Sequence, residues 1–190
     1  MKQRKRSHLR SLAGCGLILG ACMLLYSCNL QSGDPPKTTD KSAPSVRGTV
    51  AAPFELFDLE GESTRLQDFK GKVVLLNFWG TTCGPCLIEI PWLVAFQKQY
   101  GSRGFQVVAV SMYGEGPEIL KPFVTEHGMQ EFKTVMGNQE IMTKFGLVGF
   151  PTTLIVDRDG KYYSRHEGLI DRAVVEKELV TVLGQRPDSL

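Results

Sequence analysis

Two cysteines two residues apart, in Trp79-Gly80-Thr81-Thr82-Cys83-Gly84-Pro85-Cys86, are the side chains of this sequence whose type and spacing most directly do chemistry. One helical turn brings such a pair of sulfurs together, so the pair can switch between dithiol and disulfide. Cys83 precedes the helical pattern, where backbone N–H groups and the positive dipole end stabilise a thiolate and bring its pKa below the roughly 8.5 of a free thiol. It is the attacking sulfur. Cys86, one turn in and more shielded, attacks the resulting mixed disulfide and releases the reduced partner. Pro85 suits a first helical turn, where no donor is lost, and Gly84 leaves room for a partner chain. A merely structural bridge over so short a loop would constrain little. A four-thiolate metal site would need cysteines that are absent beyond the N-terminal segment holding Cys15, Cys22 and Cys28. No metal and no cofactor is expected apart from a redox-active Cys83–Cys86 disulfide.

Glu89 stands one further turn along, on the stripe Cys86, Glu89, Leu93, Phe96, Tyr100. A carboxylate there costs several kcal/mol if buried in its charged form. Burial would raise its pKa and make it a proton acceptor or donor for Cys86; a glutamate at the stripe's edge reaching solvent is the plainer alternative. Trp79 and Phe78 read first as packing residues, with Trp79 near enough to the dithiol to touch partners. Gly114-Glu115-Gly116 lacks the third glycine and the lysine of a phosphate loop. His127 and His166 are isolated and need no function.

The elements that must position these residues follow from the pattern around them. Val73 to Phe78 is apolar without alternation, as in a strand buried on both faces of an α/β sheet. The helix after Cys86 contains Pro91 and ends at Gly101 and Gly104, and Phe105 to Ser111 is the next strand, giving a parallel right-handed strand-helix-strand unit. Upstream, a hairpin turns at Glu60-Gly61-Glu62. Downstream, Pro117 to His127 is a helix with Pro122 as a candidate first-turn residue. Phe132 to Val135 is an edge strand, and Asn138 caps a short helix to Phe145. Leu154 to Val156 and Lys161 to His166 form a hairpin about Arg158-Asp159-Gly160, and Asp171 caps a closing helix to about Leu183.

The chain has 190 residues, enough for one core and too few for two ordinary domains. Its formal net charge of +2 misleads, because Lys2, Arg4, Lys5, Arg6 and Arg10 precede residue 28 and no acid does. Removing those 5 from 22 basic residues leaves 17 against 20 acidic ones, so there is no electrostatic case for nucleic acid. The basic start and the apolar run Leu12 to Tyr26 read as an export signal, about 15 residues where a spanning helix needs roughly 20. The expected organisation is a signal peptide over 1–28, a flexible linker rich in Pro, Ser, Thr and charge over 29–50, and one domain over 51–190.

Strand, Trp-x-x-x-Cys-Gly-Pro-Cys, helix, strand, helix, then a Pro151-Thr152 strand hairpin and a final helix resembles the thioredoxin fold. That resemblance implies a central mixed sheet flanked by helices. The N-terminal hairpin, the longer segment before Pro151 and Cys86-x-x-Glu89-x-Pro91 narrow it to the TlpA/ResA-like branch. That branch implies an extracytoplasmic, membrane-anchored thiol-disulfide oxidoreductase, with reduction of apocytochrome c, a Cys-x-x-Cys-His chain, as one role. It also implies a cis Phe150-Pro151 bond placing backbone groups beside the dithiol for a substrate strand, where composition alone leaves trans the default. A glutamate at the Glu89 spacing exchanges protons in that branch, and Asn77 stands where thioredoxin itself keeps a buried aspartate. Leu25-Tyr26-Ser27-Cys28 resembles the lipobox of bacterial lipoproteins, with Leu19-Gly20-Ala21-Cys22 second, which makes Cys28 (runner-up Cys22) the expected lipid attachment.

The expected function is therefore a protein-disulfide reductase acting through mixed disulfides, with protein dithiol or disulfide substrates, a membrane electron-donor protein, and a membrane contact through the lipid. Two alternatives stay open. A copper-binding chaperone of related fold would pair thiols with a distant histidine such as His166, and a thiol peroxidase would share the hairpin but needs a lone cysteine in a Pro- and Thr-containing loop absent here.

Overall fold

The computed structural model describes residues 47–184. The expectations for the signal peptide, for Cys22 and Cys28, and for most of the linker lie outside them.

Val73 to Trp79 forms the central strand β3, all seven residues buried. Around it a five-stranded sheet runs β5(Lys133–Met136), β4(Phe105–Ser111), β3, β6(Thr152–Val156), β7(Tyr162–Glu167). β3, β4 and β5 are parallel, whereas β6 and β7 return antiparallel, so the sheet is mixed. The parallel β3–β4 pair needs a crossover, supplied by α1(Gly84–Tyr100). Side chains alternate across the sheet. Val73, Leu75, Trp79 and Ile155 share one face and one core cluster with α1, α2(Pro117–Glu126) and α4(Arg172–Gly184). Val74, Leu76, Phe78 and Leu154 face a second cluster under α3(Gln139–Lys144) and the hairpin β1(Glu55–Phe57), β2(Ser63–Arg65).

The hairpin guards a sheet edge. Buried Asp58 accepts the N–H groups of Glu60 and Glu62 at 3.0 and 2.8 Å, closing the turn, and pairs with Lys133 of β5. A bridge between Asp58 and Val135 lays the hairpin along the outer strand, covering backbone groups that would otherwise template pairing.

Two local expectations change. Pairing begins before residue 51, because Gly48 N–H donates to Tyr162 O at 2.7 Å, Tyr162 N–H donates to Thr49 O at 2.9 Å, and Val50 bridges Lys161. Pro122 lies inside α2 rather than in its first turn, where Pro117 stands instead. The carbonyl deprived of its donor by Pro122 belongs to exposed Glu118, where water can serve it.

Candidate active site

Cys83 caps α1 with an extended backbone, and its sulfur accepts the Cys86 N–H at 3.3 Å. Cys83 and Cys86 are joined as a disulfide with Cα atoms 5.2 Å apart. Exposure separates their roles: Cys83 retains 6% and Cys86 none. An incoming sulfur can therefore meet only Cys83. Gly84 and Pro85 are exposed, and a Cβ built on Gly84 meets nothing within 4 Å, so open space lies over the dithiol.

The loop leading to Cys83 is fastened to the end of β4 by a residue that carries no signal in the sequence. The Glu115 carboxylate accepts the Thr81 N–H at 3.4 Å, the Thr81 hydroxyl, and the Ser111 hydroxyl at 2.7 Å. Beside it, a Cβ on Gly80 would fall 2.6 Å from the Tyr113 ring, so the glycine admits that ring against the loop. Tyr113 in turn meets Phe150 edge-on, centroids 5.7 Å apart. Trp79 requires correction as a partner-contacting residue. It has no exposure, packs 5.1 Å from Phe123, and its indole N–H has no partner among the described residues. The strand that presents the dithiol is buried through its last residue, so Trp79 supports the loop from beneath.

Glu89 is wholly buried, which removes the solvent-edge alternative. Its Oε1 accepts Asn77 Nδ2–H at 2.7 Å and its Oε2 accepts Ile170 N–H at 3.4 Å; the same Asn77 amide donates to Thr153 Oγ1 at 3.0 Å. Burial pushes the carboxyl up to about 7, against the pull of Asn77, Ile170 and His166. A carboxyl poised there can both take and give a proton near neutrality.

The Phe150–Pro151 bond is cis. Thr152 pairs with Phe78, so the proline loop and the dithiol loop leave the sheet at the same end. Phe150 is half-buried and Pro151 buried. Pro151 O accepts the Gly168 N–H at 2.8 Å. His166 is not isolated: its Nε2 lies 2.8 Å from Glu178 Oε2, which also accepts the Ser164 hydroxyl at 2.7 Å. Among the described residues no group of three or more His, Cys, Asp and Glu side chains could hold a metal ion, and no helix is long and apolar enough to cross a membrane.

The family described as Redoxin matches residues 38–183. The thiol-disulfide oxidoreductase ResA of Geobacillus thermodenitrificans is 34% identical over 145 residues, 76% of this chain and 82% of that protein. A Chlorobium tepidum structure described as thiol:disulfide interchange protein DsbE is 33% identical, with TM-score 0.67 over 73% of this chain and 98% of that one. The pneumococcal exposed lipoprotein thioredoxin Etrx1 from Streptococcus pneumoniae is 25% identical, with TM-score 0.59 over 68% of this chain and 99% of that one.

Proposed function

The chain belongs to the redoxin family and is a ResA-like protein thiol-disulfide oxidoreductase, and from that premise we propose that it reduces disulfides of protein clients outside the cytoplasm. The Cys83 thiolate attacks one client sulfur, forming a mixed disulfide and releasing the other client sulfur as a thiolate that takes a proton. Cys86 then gives its proton to the Glu89 carboxylate and attacks Cys83, re-forming the Cys83–Cys86 disulfide and releasing the second client thiolate. Two electrons pass to the client. Phe150 and the open floor over Gly84 and Pro85 receive the client chain. The observation that carries this reading is the pairing of one accessible and one inaccessible sulfur with a wholly buried carboxyl three residues beyond the latter.

Direction and setting follow from chemistry. Cys-Gly-Pro-Cys is the sequence of the reducing thioredoxins, whose potentials lie near about −270 mV, so this disulfide is a donor once reduced. Outside the cytosol such a dithiol must be recharged, which calls for a membrane electron-donor protein. Lipid on Cys28, or else Cys22, holds the domain near that donor, an arrangement supported by the exposed lipoprotein among its structural relatives. A Cys-x-x-Cys-His apocytochrome c is the client this chemistry suits. Reduction of insulin disulfides tests the core activity: wild type is active, Cys83→Ser inactive, and a measured potential above about −150 mV contradicts the reducing direction. Cys86→Ala arrests the mixed disulfide, so the captured protein identifies the client. Mass spectrometry of the mature N-terminus tests the lipid, and an unmodified terminus at any other residue excludes it.

A further inference from the structure

The loop between β4 and α2 is fastened on both sides of Tyr113 to the segment that leads into the dithiol. Met112 N–H donates to Trp79 O at 2.9 Å, which prolongs the β3–β4 pairing by one residue. Three residues on, the Glu115 carboxylate holds both the N–H and the hydroxyl of Thr81. Gly114, at φ +73°, turns the chain between the two ties. Tyr113 is thereby set over Gly80: a Cβ built on that glycine would stand 2.6 to 2.7 Å from three consecutive carbons of the ring, so the glycine lies against the ring's face and not beside its rim. Gly80 O accepts the Cys83 N–H at 3.2 Å, which puts the ring one tight turn from the attacking cysteine. The ring also meets Phe150 edge-on, 5.7 Å between centroids, where the chain enters its cis proline. One side chain therefore touches both loops that border the dithiol, and it is still 46% exposed.

We propose that Tyr113 is a specificity-determining residue of the client site: with Phe150 it forms an aromatic corner that receives a large apolar or aromatic side chain lying next to the client's reacting cysteine. The inference rests on the reading of the chain as a reductase of protein disulfides, and it states which disulfides are preferred. Tyr113 acts on how tightly a client is held. The exchange of sulfur bonds stays with Cys83 and Cys86.

The chemistry of the corner selects this occupant. Glu115, the carboxylate of the same loop, already accepts hydrogen bonds from Thr81 N–H, the Thr81 hydroxyl and the Ser111 hydroxyl, so it does not call for a cationic client side chain. Exposed apolar side chains gather at this end of the sheet: Ile88 in the first turns of α1, Ile119 in the first turn of α2, and Val148 two residues ahead of Phe150. A client chain laid over the open space at Gly84 thus meets apolar surface beside the dithiol. The ties at Met112 and Glu115 hold the ring before any client arrives, so little ordering remains to oppose binding. A rigid aromatic ring placed in this way is the kind of side chain that anchors interfaces.

The experiment is single-turnover reduction, by the reduced protein, of short peptides each closed by one disulfide and identical except for a Phe, Ser or Lys next to one cysteine. Each turnover converts the Cys83–Cys86 dithiol to its disulfide and the peptide bridge to two thiols, counted by mass spectrometry after an acid quench. In the wild type the Phe peptide half-saturates at about one-tenth of the concentration that the Ser and Lys peptides need, the difference expected of one buried aromatic contact. Tyr113→Ala removes that preference, and Tyr113→Phe, which keeps the ring, retains it. Each readout is a ratio between peptides, so a general effect of the substitution on the dithiol loop cancels. Should Tyr113→Ala not fold, Tyr113→Gln, which fills part of the space without the aromatic face, removes the preference in its place. A wild type that treats the Phe and Ser peptides alike, a Lys peptide that matches the Phe peptide, or a preference that survives these variants overturns the inference and leaves the reductase reading intact. A wild type that reduces none of the peptides overturns the reductase reading and this inference with it.

Discussion

Replacing Glu89 by Gln should remove a pH dependence from the stability of the oxidised domain. The buried carboxyl ionises at about 7 against an ordinary 4.5. Between those values the unfolded chain has already lost the proton that the folded chain keeps. The folded state therefore binds more protons, and stability falls as pH rises through this window. Above about 7 both states are ionised and the full cost remains. A gap of about 2.5 pH units at about 1.4 kcal/mol per unit amounts to about 3 kcal/mol. Gln carries a separate cost that does not vary with pH. Glu89 offers acceptors to both Asn77 and Ile170, whereas an amide has one acceptor oxygen, and the donor left over costs about 1–3 kcal/mol. The informative quantity is the wild-type minus variant difference across pH. Urea unfolding followed by tryptophan fluorescence, at intervals from pH 4.5 to 8, supplies it. The difference should move by about 3 kcal/mol against the wild type as pH rises, nearly all of it below about pH 7. A difference that stays flat within about 1 kcal/mol would refute the claim that Glu89 is buried as a proton-holding acid.

Asn77→Ala removes the 2.7 Å donor to Glu89 Oε1 and should raise the Glu89 midpoint above about 7, read by carbon-detected titration of that carboxyl. Glu115→Ala releases the Thr81 and Ser111 donors, so amide hydrogen exchange at Thr81 should quicken about tenfold or more while the α1 core amides keep their protection. Gly80→Ala places a methyl 2.6 Å from the Tyr113 ring, and should destabilise the domain by about 1–3 kcal/mol in urea unfolding. It should also slow client reduction, because the displaced ring carries its contact with Phe150 away.

The central architecture is legible in the sequence because its signals are local. β3 and α1 follow from an unbroken apolar run and a three-four stripe, and Cys86, Glu89, Leu93, Phe96 and Tyr100 are all buried as that stripe requires. The caps Asn138 and Asp171 follow from local side-chain chemistry, and both accept N–H groups as expected. What the sequence does not disclose is set by tertiary pairing. Nothing near Thr153 reveals that it receives Asn77 from 76 residues away, and nothing near His166 reveals Glu178. Glu115 and Tyr113 sit in a loop without periodicity, so their hold on the dithiol loop appears only when β3 and β4 lie in register. Trp79 misled because nearness in sequence to Cys83 is not exposure: Cys83 keeps a small opening to solvent while the strand end stays under Phe123. The early pairing of Gly48 and Thr49 with Tyr162 is made by backbone groups, which composition does not register.

The most direct test is the pH dependence of alkylation of each cysteine in the reduced protein, with and without Glu89. Cys83 should react with a midpoint below the roughly 8.5 of a free thiol, and Cys86 should react far more slowly. Glu89→Gln removes a neighbouring carboxylate and should lower the Cys86 midpoint, since a like charge no longer opposes the thiolate. Identical profiles for both cysteines in wild type and variant would contradict the assignment of Cys83 as attacker, Cys86 as resolver and Glu89 as its proton partner.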